Sequence, residues 1–173
     1  MSDNKERSSS SSFPRVRVGI GQKSHRFLPS DSSKPCVIGG LIFEDSPGLA
    51  ADSDGDVVIH AICNAISSIT GILILGGIAI DLYTKDGITD SQVYLEKALE
   101  TLNKQRIEHI ALTIEGKRPS LEPRLLEIRE KIASLMKIEL SQVGLTTISG
   151  EGLTDFGCGD GLQCFCILTT MEN

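Results

Sequence analysis

An α/β or α+β single domain is the fold class this sequence predicts. Three observations carry it: a length of 173 residues, segments of strand period alternating with segments of helix period, and no internal repeat. Hydrophobic residues make up 40% and charged residues 23%, the balance of a packed chain. Aromatics are only 4%, so the core must be built from Ile, Leu, Val and Ala.

The first 14 residues, MSDNKERSSSSSFP, have nothing to bury and read as a disordered Ser-rich tail, with no apolar run for a targeting signal. The domain is expected over 15–170. Val16 to Gly21 alternates as a strand does, and Cys36 to Phe43 reads as a second strand bent at Gly39-Gly40. Ser53 can cap a helix starting near Asp54, in which Val57, Ala61, Ala65 and Ile69 share one face and Gly71 is the stop. Asp90 or Ser91 can cap a helix striped by Tyr94, Leu95, Ala98, Leu99 and Leu102. Ile107 to Glu115 alternates as a strand. Ser120 can cap a helix lined by Leu125, Ile128, Ile132 and Leu135. Val143 to Ser149 and Leu162 to Thr169 are strands around a loop holding Gly150, Gly152, Gly157, Gly159 and Gly161.

Composition narrows the partners. Lys and Arg total 17 against 23 Asp and Glu, a net charge of −6, which argues against nucleic acid. Five cysteines, an odd count without a secretory leader, read as free thiols of a cytoplasmic protein. Val57 to Ile80 carries no charge and is long enough to span a bilayer, yet its polar residues and glycines favour a buried helix followed by a short apolar connection, with no membrane partner.

Chemistry-bearing residues gather in three places. His25 stands at the end of the first strand. Asp56 and His60 are four apart, so on a helix the carboxylate could orient the imidazole of a metal ligand. His109 falls on the outer face of its strand and reads as an ordinary surface residue. In Ser149-Gly150-Glu151-Gly152, glycine amides could approach a phosphate and Glu151 could hold a hard divalent cation; the bland alternative is a Gly-rich hairpin between the last two strands. No Walker motif, dinucleotide fingerprint or nucleophile elbow is present.

GIGxxSHRF, IGG, SDGDVVIHA, KRPSLEP and SGEG, in this order and spacing from Arg17 to Leu168, resemble the 2-C-methyl-D-erythritol 2,4-cyclodiphosphate synthase family. The resemblance implies a mixed β-sheet with helices on one face, assembled as a homotrimer with active sites between subunits. The implied reaction converts 4-diphosphocytidyl-2-C-methyl-D-erythritol 2-phosphate to the cyclic diphosphate and CMP, a step of non-mevalonate isoprenoid synthesis. It implies Zn2+ on His25 and His60 and Mg2+ or Mn2+ on Glu151. Catalytic positions fall on Asp52, Ser53 and Ser149. Substrate positions fall on Lys23, His25, Ser53, Gly77, Ile78, Ala79, Gly116, Pro119, Ser120, Leu121, Ile148, Ser149, Glu151 and Cys158.

The departures are specific. Lys23 occupies the family's usual Asp zinc-ligand position. Asp52 stands for a His, Gly77 for an Asp, Cys158 for an Arg and Ser120 for a Lys. The alternative function is a non-catalytic trimeric binding protein for cytidine nucleotides or isoprenoid diphosphates.

Overall fold

The strands β1 (Arg15–Arg26) and β6 (Gly161–Glu172) pair antiparallel along their full length, from Arg15 opposite Glu172 to Arg26 opposite Gly161. The computed structural model describes residues 14–172. The Ser-rich tail expected over 1–14 therefore lies, apart from Pro14, outside the described residues. β4 (Arg106–Glu115) adds antiparallel to β6, and β5 (Val143–Ile148) adds parallel to β4, giving the sheet order β1-β6-β4-β5. A separate hairpin joins β2 (Cys36–Ile38) to β3 (Leu41–Phe43).

The main sheet is covered on one face by α1 (Val57–Thr70), which lies across β1 and β6. Gly19 and Gly21 make that approach possible, since a methyl group at either would collide with the Ala65 or Ala61 carbonyl. Next in the chain come α2 (Ala79–Asp86), α3 (Ser91–Glu100) and α4 (Leu125–Met136). The short α5 (Asp155–Cys158) closes the Gly-rich loop. Ile59, Ile62, Ile66, Ile110, Ile114, Ile128, Ile132 and Leu162 are fully buried, the aliphatic core the composition requires. The opposite face of the sheet carries Val16, Val18 and Ile20 of β1 and Phe165 and Ile167 of β6, all exposed.

Several local expectations need correction. Cys36–Phe43 is two strands, because Gly39 and Gly40 both have positive φ (60° and 77°) and form the hairpin turn. α1 is capped by Asp56, whose side chain accepts from the Val58 and Ile59 amides, and not by Ser53. Asp90 caps α3. Ser120 caps nothing; a 3-10 turn over Glu122–Arg124, without a side-chain cap, leads into α4. The run after Gly71 is no plain connection: a π turn at Ile74–Ile78 feeds directly into α2. α1 and the Ile74–Asp86 segment meet at 109°, and among the described residues no single helix is long and apolar enough to cross a membrane. Cys36, Cys63, Cys164 and Cys166 are buried free thiols, and Cys158 is a free thiol on the surface. β5 and β6 are not sheet neighbours, so the Gly-rich loop is a crossover and the hairpin alternative falls.

Candidate active site

β1 and α1 bring the two sequence-distant histidines together. His25 lies near the end of β1 and His60 on the first turn of α1, with His25 Nε2 3.4 Å from His60 Nδ1. The rings meet edge to face, with centroids 5.6 Å apart. Around them opens a cavity of about 200 Å3, with Lys23, Asp52, Ser53, Ala79 and Tyr94 among its lining residues.

Asp56 does not orient His60. Its buried carboxylate accepts from Gly39 N (3.0 Å), Gly40 N (2.6 Å), Val58 N (2.9 Å) and Ile59 N (3.1 Å). It thus locks the β2–β3 turn to the start of α1. Burial pushes this carboxyl up to about 7, against the amides of Gly40, Gly39 and Ile59, which favour the charged form.

His60 is oriented by Ser53, already among the expected catalytic positions, and by Ser91, which the sequence offers only as a helix cap. His60 Nε2 lies 2.8 Å from Ser91 Oγ and 3.2 Å from Ser53 Oγ. Ser91 Oγ in turn hydrogen-bonds Asp54, whose other oxygen accepts from the Ser91 amide at 3.0 Å. The Tyr94 ring stacks on His60 with centroids 6.3 Å apart, and its hydroxyl donates to the Ile88 carbonyl. Asp90-Ser91 held the available signal: with Asp90 as the cap, the Ser91 hydroxyl is free to turn inward.

Both imidazoles are held neutral. Burial first, and then the charge of Lys23, lower His25 to about 4 and His60 to about 3 from an ordinary 6.5. The unfolded chain therefore binds more protons than the metal-free folded protein at pH values below 6.5. Stability is fully present above that value and falls as pH drops toward 4 and 3. His60 alone should remove about 2 kcal/mol at pH 5. His25 adds less because it is partly solvated. Asp56, with its carboxyl raised, titrates with the opposite sign, so the check is the change in urea midpoint between pH 7.5 and 5 in His60→Gln against wild type, which isolates the His60 loss.

The remaining site positions are dispersed within one chain. Gly77 and Ile78 belong to the π turn, and only Ala79 of the Gly77–Ala79 segment lines the histidine cavity. Ile148, Ser149 and Glu151 line a different cavity of about 420 Å3, with Glu115, Gly150, Leu153 and Thr154. Ser149 caps the 3-10 turn Gly150–Gly152, within which Glu151 has φ of 49° and its side chain is exposed. The Gly116–Leu121 loop docks beside it: Gly116 N donates to the Ile148 carbonyl and Lys117 N to that of Phe156. Pro119, preceded by a cis bond, and Leu121 are buried, whereas Ser120 is exposed. Cys158 lies at the end of α5, on the surface, and is absent from the residues lining either cavity. His109 is exposed, as expected.

A catalytic zinc site takes three protein ligands. Here two imidazole nitrogens converge, but the third position is the ammonium of Lys23, which has no lone pair to give. Among the described residues no group of three His, Cys, Asp or Glu side chains comes together. The donor set of this chain does not fit zinc. A hard divalent cation asks less of the protein, since it commonly uses one or two carboxylates plus substrate phosphates, and the exposed Glu151 suits that role.

A mixed sheet backed by α1 along one face, with paired histidines beside an SDGD turn, defines a class of proteins: the chain belongs to the YgbB family, whose model matches residues 16–171. Its relatives include the 2-C-methyl-D-erythritol 2,4-cyclodiphosphate synthase of Chlamydia felis, 59% identical over 157 residues that cover 90% of this chain and 89% of that protein. The enzyme of the same name from Chlamydia abortus is 58% identical over 167 residues, covering 94% and 95%. A solved structure of a synthase of this name in a CDP-bound form superposes with a TM-score of 0.79 at 26% identity, covering 89% of this chain and 99% of that one. The Plasmodium vivax synthase gives a TM-score of 0.76 at 25% identity, covering 92% and 99%.

Proposed function

We infer that the chain is a 2-C-methyl-D-erythritol 2,4-cyclodiphosphate synthase, acting in isoprenoid biosynthesis. The observation that carries this reading is its 59% identity, along nearly the whole domain, to relatives of that name. The reading as a non-catalytic binding protein is not favoured.

In the reaction we propose, the 2-phosphate oxygen of 4-diphosphocytidyl-2-C-methyl-D-erythritol 2-phosphate attacks the β-phosphorus. The new P–O bond closes the ring, the bond from the β-phosphorus to the bridging oxygen breaks, and CMP leaves with that oxygen. This is a phosphorus–oxygen lyase reaction. Both reacting groups are anionic, so positioning and charge compensation do most of the work. Ser53 and Ser149 offer hydroxyls to phosphate or diol oxygens, the exposed Asp52 lines the histidine cavity, and Ala79 with the π turn bounds the diol side. Glu151 would hold Mg2+ or Mn2+, which when bound polarises phosphate oxygens. Gly116 to Leu121 would receive the cytidine.

A homotrimer supports this arrangement. The histidine cavity and the Glu151 loop are separate in one chain, so a site using both is completed when neighbouring copies bring one beside the other. The bare β1–β6 face, with Val18 64% and Ile20 62% exposed, provides an apolar surface such assembly would bury. The compartment that suits these free thiols is the cytoplasm.

The test is CMP release from the cytidyl substrate with Mg2+ or Mn2+, measured on protein whose mass in solution is that of three chains. Turnover is expected; a folded trimer that releases no CMP overturns the reading.

A further inference from the structure

His60 has its proton assigned by the groups behind it. A carboxylate only accepts, so the Ser91 hydroxyl donates to Asp54. The Ser91 oxygen must then accept from His60 Nε2. That leaves the lone pair of His60 on Nδ1, facing His25 Nε2. His25 Nε2 faces the same gap. These ring nitrogens, 3.4 Å apart, border the same cavity as Lys23, so a cation there meets both.

Lys34 is already committed, with Nζ 2.8 Å from both the Leu49 and Ala51 carbonyls. Lys23 lines the cavity with both histidines and, among the described residues, has no ion-pair partner. Its charge acts on both rings.

We propose that Lys23 is the resident cation of this site: its ammonium excludes tightly bound zinc and takes a phosphate oxygen of the substrate directly. This rests on the synthase reading. It keeps positive charge beside the reacting diphosphate while dispensing with one metal ion, and it makes Asp54, Ser91 and His60 a chain that positions the imidazole pair for the ammonium.

Purified protein is equilibrated with excess zinc and desalted, its zinc content is measured, and its metal-free affinity for CDP is read by calorimetry. Wild type should retain well under one zinc per chain, Lys23→Asp should retain about one by restoring a three-ligand set, and Lys23→Met should lose about tenfold in metal-free CDP affinity. Wild type holding one zinc per chain, or Lys23→Met binding metal-free CDP as wild type does, overturns the proposal. A zinc-loaded wild type that releases CMP defeats this inference alone; a zinc-free one that releases none defeats the synthase reading alone.

Discussion

Asp56→Ala should cost on the order of 4 kcal/mol of stability, the largest loss expected from a single side chain outside the apolar core. Four backbone N–H groups, from Gly39, Gly40, Val58 and Ile59, converge on this one carboxylate, which is fully buried. Each buried donor left without a partner costs about 1–3 kcal/mol. Water can relieve part of that, which is why the expectation sits well below the sum of four. Asp56→Asn keeps one carbonyl oxygen and should recover about half of the loss. Urea unfolding at pH 8 measures both. A loss below about 1 kcal/mol for Asp56→Ala, the size of an ordinary helix cap, would mean that the hairpin amides find other partners.

Gly21→Ala should be nearly as damaging, and should also injure the site. The added methyl meets the Ala61 carbonyl and the Ala65 amide of α1, so the helix must rise off the sheet. Overpacking of this kind costs about 3 kcal/mol. Because β1 carries His25 and α1 carries His60, the same displacement separates the imidazoles. Turnover should fall by about 10²-fold, the scale of a misplacement near 1 Å. Gly19→Ala presses on the same helix further from the histidines and should match the stability loss with a smaller effect on rate. Gly71→Ala is the control. It meets no neighbour and costs about 1 kcal/mol for its positive φ. Equal rate losses at Gly19 and Gly21 would show that the effect is general loosening rather than imidazole geometry.

What the sequence discloses follows the range of the forces involved. α1 is legible because Val57, Ala61, Ala65 and Ile69 repeat at helical spacing and Gly71 ends the pattern. β4 is legible because Ile110, Leu112 and Ile114 alternate with more exposed neighbours. The N-cap of α1 is less legible. Ser53 and Asp56 are both good N-cap residues, and the choice is made by the Gly39 and Gly40 amides, which are distant in the chain. β1 continues to Arg26 through Gln22, Lys23 and Ser24, whose side chains show no alternation, because β6 supplies ladder partners along the whole strand. Gly39-Gly40 reads as a bend within one strand, although paired glycines between apolar triplets equally suit a two-residue hairpin. At the site, His25, His60, Ser53 and Lys23 are accessible through resemblance to the family. The contact of Ser91 with His60, across 31 residues, has no sequence period to announce it.

The pairing of β1 with β6 also dictates the order in which this domain can come into being. These strands are the first and last described elements, yet they pair along their full length, with β1 at the sheet edge and β6 between β1 and β4. A chain leaving the ribosome can form α1 early, but β1 has no strand to pair with until β6 has been made. Closure over so long a separation is entropically costly and belongs to the slow end of single-domain folding. During that wait the hydrogen-bonding edge of β1 stands open, and α1, seated through Gly19 and Gly21, covers one face of the strand while Val16, Val18 and Ile20 on the other stay bare.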